Sequence, residues 1–167
     1  MQIKPYAPCH LDAVIRLSLR AWEPVFDSLK QVFNPNLYQV FYPEHWRVSQ
    51  QQAVETVCAD ENTSVWVAIV ADTSESQDAG TICGFIAVKL HREEHMGEIY
   101  MIAVDPDFQG RGIGSALIEF ALERMQEVGM LVAMVETAGD PGHAPARHTY
   151  EKAGFELFPV ARYFKAL

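Results

Sequence analysis

The sequence predicts a single mixed α/β domain, and three observations lead to this prediction. Segments with strand and helix patterns alternate along all 167 residues, and no internal repeat or low-complexity stretch separates them. A composition of 49% hydrophobic and 21% charged residues, with a mean hydropathy of −0.03, is typical of a soluble globular protein. A chain of this length buries about 70% of the surface that its unfolded form exposes, so its core needs no metal or disulfide.

The amino-terminal half alternates predicted strands and helices around one irregular stretch. Residues 22–46 are rich in aromatic side chains and contain Pro24, Pro35 and Pro43, so we expect helical pieces joined by turns. The other elements of this half follow from hydrophobic periodicity and β propensity. They are a strand over residues 3–6, a helix over 11–21, a helix over 49–59 and a strand over 65–70.

The carboxy-terminal half is predicted to contain four β segments and two helices. Apolar residues recur at helical spacing over residues 112–128, with Gly129 as the C-cap, so this helix is the clearest element. The polar stretch over 72–79 separates two β-prone runs and predicts a hairpin loop. Pro159 interrupts the last β segment. The remaining elements are strands over 81–88, 98–104 and 131–135, the last of them buried, a helix over 145–153 and a β segment over 155–164.

The charge balance and the cysteines exclude several classes of function. The chain carries 13 lysines and arginines against 22 aspartates and glutamates, a net charge of −9, so we expect it to bind neither nucleic acid nor an anionic membrane. Cys9, Cys58 and Cys83 are too few and too widely spaced for a disulfide framework or a zinc site, and we expect no metal. The amino terminus lacks the apolar stretch of a signal peptide, and no apolar run has membrane-spanning length, which favours a cytoplasmic location.

The strongest chemical signal is a glycine-rich segment between a predicted strand and a predicted helix. It consists of Gln109, Gly110, Arg111, Gly112, Ile113, Gly114 and Ser115. Glycine lets a ligand approach the backbone closely, and a helix start offers free N–H donors, so the segment predicts a phosphate or pyrophosphate site. No lysine follows as in a P-loop, and Ser115 stands where a dinucleotide fingerprint needs its last glycine. The alternative is a turn that binds no ligand.

Three sets of residues resemble the GNAT family of N-acetyltransferases. Gln109, Gly112 and Gly114 match the family signature of Gln or Arg, two residues, Gly, one residue, and Gly or Ala. Residues 98–106 resemble its bulged fourth strand, and residues 150–155 resemble its closing helix-to-strand motif. The resemblance implies one domain over residues 1–167, with a central mixed, mostly antiparallel, twisted sheet of six to seven strands flanked by about four helices.

The resemblance also implies an activity and a cofactor. The chain would be an acetyl-CoA-dependent N-acetyltransferase that moves the acetyl group directly to a primary amine of a small molecule, a peptide or a protein. The backbone of Ile102, Ala103 and Val104 would hold the pantetheine arm, and residues 109–115 would bind the pyrophosphate, with Arg111 adding a positive charge. Two alternatives stay open, namely a non-catalytic acyl-CoA-binding sensor and a transferase for another acyl group or a hydroxyl acceptor.

Two side chains are candidates for proton transfer. Tyr150 aligns with the tyrosine that donates a proton to the CoA sulfur in many family members, and its alternative role is that of a packed aromatic. Glu98 occupies the strand position where several members carry a glutamate base, and its alternative role is that of an ion-paired side chain. In a regular strand Tyr100 would share the face of Glu98 and line the same acceptor pocket.

One departure from the family concerns the residue seven positions before the tyrosine. The family often has an asparagine there that contacts the cofactor, whereas this chain has His143. A histidine can keep a hydrogen bond to the cofactor, serve the acceptor site, or lie in a surface loop.

The aromatic stretch and the net charge both bear on the acceptor. The aromatic residues of the stretch 22–46 would supply core and part of the acceptor cleft, and the negative net charge favours a cationic amine. The last β segment could also pair across a homodimer.

Overall fold

A computed structural model describes residues 1–71 and 80–167 as a mixed sheet with helices packed on both faces. The predicted hairpin loop over 72–79 lies outside the described residues. The strands are β1 (Gln2–Pro5), β2 (Thr63–Val70), β3 (Thr81–His91), β4 (Met96–Val104) and β5 (Val132–Val135). The α-helices are α1 (Leu11–Val32), α2 (Pro35–Phe41), α3 (Trp46–Ala59), α4 (Ile113–Glu127) and α5 (Ala144–Lys152). Gly129 follows α4 with a φ of 80°, one position after the C-cap Val128.

The sheet has the strand order β1–β2–β3–β4–β5, with the first four strands antiparallel and β5 parallel to β4. The predicted mixed sheet with flanking helices is confirmed, but the predicted six to seven strands are wrong. Five strands form in the described ranges, because residues 155–164 form none. Pro159 has no N–H to donate, and Leu157 and Phe158 are 80% and 81% exposed, so neither packs against a sheet. The homodimer predicted through this segment stays a prediction.

Helix α1 runs through Pro24 to Val32, so the predicted break at this proline is wrong. Proline in a helix interior removes one backbone hydrogen bond. Buried side chains on both sides of the proline, with Phe26 on its carboxy-terminal side, offset that loss through tertiary packing. The other two prolines act as predicted, since Pro35 begins α2 and Pro43 follows its end.

Two hydrophobic cores lie on opposite faces of the sheet. Helices α4 and α5 cover one face with residues such as Leu117, Ile118, Ala121 and Tyr150. Helices α1 and α3 cover the other face with residues such as Val14, Leu17 and Val54. The predicted burial of the strand over 131–135 is wrong, because β5 pairs only with β4 in the described part of the chain and leaves Val132 57% exposed.

Strand β4 contains a bulge at Tyr100, as the family resemblance implied. Ile99 pairs with Val88 and Met101 pairs with Ala87, so Tyr100 has no partner on β3. Ile99 consequently packs in the core beneath α4, and Met101 packs in the core beneath α1.

Arg20 ties the loop that follows β4 to α1. Its guanidinium donates to both carboxylate oxygens of Asp105 at 2.9 and 2.7 Å and to Asp107 at 2.8 Å. The Asp107 N–H also donates to Asp105 at 3.0 Å. Asp105 is buried, so Arg20 supplies the charged partner that a buried carboxylate needs.

Replacing Arg20 with methionine should lower the free energy of unfolding more than replacing Asp107 with asparagine, because the buried Asp105 would lose its charged partner. Replacing Asp107 with asparagine should cost less than about 1 kcal/mol, because this partner is exposed. Urea unfolding of both variants measures the difference. Equal losses of unfolding free energy in the two variants would show that the contact between Arg20 and the buried Asp105 does not anchor the loop.

Candidate active site

A cleft opens where β4 and β5 separate. Their parallel pairing ends at Ile99 and Val135, after which β4 continues to Val104 and the chain leaves the sheet beyond β5. The cleft has a volume of about 1430 Å³. It is bordered by α1, by β4, by the glycine-rich segment at the start of α4, by the loop after β5 and by α5. Residues that lie far apart in the chain meet in this cleft.

The edge of β4 presents backbone groups to this cleft. The Asp105 N–H donates to the Cys83 carbonyl on β3 at 2.9 Å. In an antiparallel pair, every second residue of a strand forms its backbone hydrogen bonds with the same neighbouring strand. Ala103, two residues before Asp105, therefore also bonds to β3, whereas the backbone groups of Ile102 and Val104 point away from β3. All three predicted residues line the cleft, but only Ile102 and Val104 direct backbone polar groups into it.

The glycine-rich segment curves around the start of α4. Gly110 and Gly112 have φ values of 73° and 79°, a backbone conformation that favours glycine. A Cβ atom built on either glycine would meet no atom within 4 Å, and both line the cleft. The first N–H groups of α4 have no acceptor within the helix, and the helix dipole adds a partial positive charge. This arrangement fits a phosphate group.

Three residues of the predicted phosphate site make contacts with other parts of the protein. Arg111 does not line the cleft, and its guanidinium donates to the Asp107 carbonyl at 2.8 Å. The Gln109 side chain donates to the Val104 carbonyl at 3.0 Å and so holds the loop against the end of β4. Ile113 is a buried core residue at the first position of α4, and it lines the cleft together with Gly114 and Ser115 on the next positions. The backbone, rather than charged side chains, therefore forms this end of the cleft.

Tyr150 lies on α5 and lines the cleft. The residue is only 8% exposed, and its ring packs edge-to-face against Phe155 with the ring centroids 6.1 Å apart. Burial raises the pKa of Tyr150 to about 12, since the phenolate would be poorly solvated there. The phenol therefore carries its proton at neutral pH, which is the form that a proton donor requires.

Glu98 contacts a histidine of the neighbouring strand and is not one of the described residues that line the cleft. Its carboxylate lies 2.7 Å from His91 Nε2. Tyr100 does line the cleft, and Lys89 Nζ lies 3.9 Å from its ring centroid. Lys89 pairs with Glu98, so the bulge leaves Glu98 and Tyr100 on the same face of β4. The role of Glu98 as the base stays a prediction.

Sequence reasoning identified His143 but missed its partner Asp140. The Asp140 carboxylate accepts hydrogen bonds from the Ser28 hydroxyl at 2.6 Å and from the Gly142 N–H at 2.9 Å, and it pairs with His143 Nδ1. Burial raises the pKa of Asp140, but the hydrogen bonds from Ser28, His143 and Gly142 outweigh it and leave the pKa below its ordinary value. The spacing of Asp140 and His143, with proline and glycine between them, is a turn signal that indicates such a contact.

The end of the cleft that faces α1 is aromatic. A group of rings lines it, namely Trp22, Phe26, Phe33, Tyr42 and Phe164. Two of the charged residues in the cleft wall neutralise each other, since Arg162 donates to Glu136 at 3.1 Å. Phe164 and Arg162 belong to the segment predicted as a last strand, so this segment forms part of the cleft wall instead.

The described residues hold neither a cluster suited to a metal ion nor a helix suited to a membrane. No cluster of three or more histidine, cysteine, aspartate or glutamate side chains is arranged to bind a metal ion in residues 1–71 and 80–167. Within the same ranges, no helix has the length and the apolar character that crossing a bilayer requires.

The sequence of this chain matches the model of one known protein family. The sequence model described as "Acetyltransferase (GNAT) family" matches residues 26–155, which is more than half of the chain.

Curated relatives include two mycothiol acetyltransferases. The protein from Propionibacterium freudenreichii subsp. shermanii is 30% identical over 120 residues, which make up 71% of this chain and 36% of that protein. The protein from Streptomyces griseus subsp. griseus is 28% identical over 144 residues, which make up 86% of this chain and 44% of that protein. The chain thus spans less than half the length of these relatives.

Solved structures show the same fold. A tetramutant of the BH1408 protein from Bacillus halodurans has a TM-score of 0.73 at 13% identity, with 99% of this chain and 100% of that chain covered. The aminoglycoside N-acetyltransferase AAC(6′)-Iy in complex with CoA has a TM-score of 0.64 at 16% identity, with 99% of this chain and 93% of that chain covered. At such identities the likeness shows the fold alone.

The raised pKa of Tyr150 predicts a loss of stability at high pH. A folded-state pKa of about 12 against an ordinary value of 10.0 means that stability is complete below pH 10 and falls as the pH rises towards 12. Between pH 8 and pH 11 the wild type should lose about 1.4 kcal/mol more than the Tyr150→Phe variant. Urea unfolding at both pH values measures this, with Tyr163→Phe as the control because Tyr163 is 90% exposed. Parallel losses in the wild type and Tyr150→Phe would contradict the assignment.

Proposed function

The chain belongs to the GNAT acetyltransferase family, and we propose that it is an acetyl-CoA-dependent N-acetyltransferase with one GNAT domain over residues 1–167. The observation that carries the proposal is the continuity of the cleft. It runs from the open glycines at the start of α4, along the free edge of β4, to Tyr150 and the aromatic wall beside α1. A cofactor with a phosphate end and a reactive acyl end needs both kinds of surface in one cleft.

The residues of the cleft fit acetyl-CoA. Gly110, Gly112 and the first N–H groups of α4 would hold the pyrophosphate, since nothing in the protein fills the space before these glycines. The backbone groups of Ile102 and the N–H of Val104 would pair with the amide-bearing pantetheine arm as a neighbouring strand would, since the Val104 carbonyl already accepts from Gln109. When bound, acetyl-CoA would supply an acetyl group that is activated as a thioester.

The proposed chemistry assigns one task to each part of the cleft. The backbone N–H groups at the β4 edge would polarise the carbonyl that the amine attacks. The Tyr150 hydroxyl would donate its proton to the leaving sulfur, and its burial supports this role because the phenol stays protonated at neutral pH. The walls beside α1 and the carboxy-terminal segment would position the amine.

The acceptor that we propose is a small cationic amine. The aromatic side chains of the cleft wall suit an amine attached to an apolar body, and the net charge of −9 attracts cations. The curated relatives described above are named as mycothiol acetyltransferases, which supports a small-molecule acceptor.

Calorimetric titration with acetyl-CoA tests the phosphate end of the cleft. We expect binding that weakens by at least about tenfold with acetyl-pantetheine, which lacks the pyrophosphate. Replacing Gly112 with asparagine should also weaken acetyl-CoA binding about tenfold, because the new side chain would project into the space before the loop.

The matched control for this experiment is Gly129→Asn. Gly129 has a φ of 80° and equally open surroundings, but it lies at the other end of α4 and does not line the cleft. Both variants bear the same backbone strain, so only Gly112→Asn should lose affinity. Equal affinities in both variants, or equal binding of acetyl-pantetheine, would remove the phosphate site from the proposal.

Turnover on a panel of primary amines tests the activity. On any amine that is acetylated, Tyr150→Phe should lower kcat on the order of 100-fold and leave the Kd of acetyl-CoA nearly unchanged, because only the proton donor is lost. The exposed Tyr163 offers the control variant Tyr163→Phe, which should keep the wild-type kcat. Tight binding of acetyl-CoA without turnover of any amine would instead support an acyl-CoA-binding sensor.

A further inference from the structure

We propose that His143 and Asp140 form a dyad in which His143 Nε2 accepts the proton of the acceptor amine and Asp140 orients the imidazole. This inference rests on the proposed acetyl transfer, since it names the base of that reaction. The geometry of the loop between β5 and α5 carries it.

Asp140 determines which ring nitrogen of His143 bears a proton. The carboxylate accepts hydrogen bonds from the Ser28 hydroxyl and the Gly142 N–H, so it is held in its ionised form. An ionised carboxylate only accepts hydrogen bonds, so the His143 Nδ1 beside it must carry a proton. In the neutral imidazole, Nε2 is then a free proton acceptor.

The dyad is held firmly against the wall of the cleft. Only 3% of the Asp140 side chain is exposed, and its partner Ser28 lies on α1. The Gly142 N–H also donates to the Ser28 hydroxyl at 3.0 Å. A Cβ atom on Gly142 would lie 2.7 Å from Ser28 Cβ and 3.0 Å from Val25 Cα, so loop and helix are in close contact. Such support keeps a reacting group in one orientation.

His143 faces the same space as the proposed acid. It is the N-cap residue of α5 and precedes Tyr150 by seven residues, or two helical turns, so both side chains lie on one face and both line the cleft. Their Cα atoms are separated by about 10 Å along the helix axis. Tyrosine side chains in helices lean towards the amino terminus, which is the direction of His143. A base and an acid thus flank one stretch of the cleft.

The carboxylates of Glu98 and Glu136 are less suited to the role of the base. Glu98 pairs with His91 and does not line the cleft in the described part of the structure. Glu136 does line it, but Arg162 forms a salt bridge with its carboxylate at 2.9 Å. His143 is the residue that combines a place in the cleft wall with a buried carboxylate behind its ring.

The proton and bond changes of the step balance. A C–N bond forms between the acceptor nitrogen and the acetyl carbon as the C–S bond of the thioester breaks. The acceptor attacks as the neutral amine, after its ammonium form has released one proton to water. One further proton then passes from the nitrogen to His143 Nε2, and one passes from the Tyr150 hydroxyl to the sulfur. The proton gained by His143 then returns to the Tyr150 phenolate, directly or through water, so both residues recover their starting forms.

The kinetic test replaces His143 with asparagine, the residue that the family often carries at this position. Asparagine can still donate to Asp140, but it cannot accept a proton at neutral pH. We expect kcat to fall on the order of 100-fold, while the Kd of acetyl-CoA changes less than about threefold. His95→Asn is the control, since His95 does not line the cleft and asparagine tolerates its φ of 51°. An unchanged kcat in His143→Asn would overturn the dyad.

The second test measures the tautomer of the His143 imidazole and does not depend on turnover. Nitrogen-15 spectra of the neutral His143 ring should show the Nδ1–H tautomer in the wild type, and Asp140→Asn should raise the Nε2–H fraction and lower kcat with little change in acetyl-CoA affinity. An Nε2–H tautomer in the wild type would overturn the dyad even in an active enzyme. A wild type that acetylates no amine would overturn the proposed function together with the role of His143, whereas an active wild type with an unimpaired His143→Asn would overturn the dyad alone.

Discussion

The separation of β4 from β5 is the constraint on which the site depends. Two parallel strands pair only as far as Ile99 and Val135, and beyond that point β4 keeps one edge with backbone donors and acceptors that β3 does not use. Such groups need a partner, whether water or a ligand. The cleft, the backbone groups of Ile102 and Val104 and the approach to α4 all follow from this one interruption of the sheet.

Helix α1 holds both loops that border the opening. Near its middle, Arg20 binds Asp105 in the loop after β4, and farther along, Ser28 binds Asp140 in the loop after β5. The second contact exists only because the helix continues through Pro24. The loss of the hydrogen bond that the proline removes is thus offset by packing and by the Ser28–Asp140 contact, which holds the loop on the opposite side of the cleft.

Burial organises the proposed proton transfers. Tyr150 is surrounded by apolar groups and keeps its proton, whereas Asp140 is buried among hydrogen-bond donors and gives up its own. Environments that raise the pKa of one ionisable group and lower the pKa of another are typical of sites for acid–base chemistry. Glu98, by contrast, lies beside His91 at the paired part of β4, where the strands leave no opening.

The sequence by itself determined the features that depend on neighbouring residues. The apolar spacing of α4, the glycines at positive φ before it and the alternation of strands and helices as far as α5 follow from local periodicity and backbone preference. Tertiary structure alone decided which distant side chains meet: that Arg20 binds Asp105 across 85 residues of chain, and that Ser28 binds Asp140 across 112 residues. The physical reason is range, because periodicity records which face of an element is buried, whereas a side chain's partner depends on how distant elements pack together.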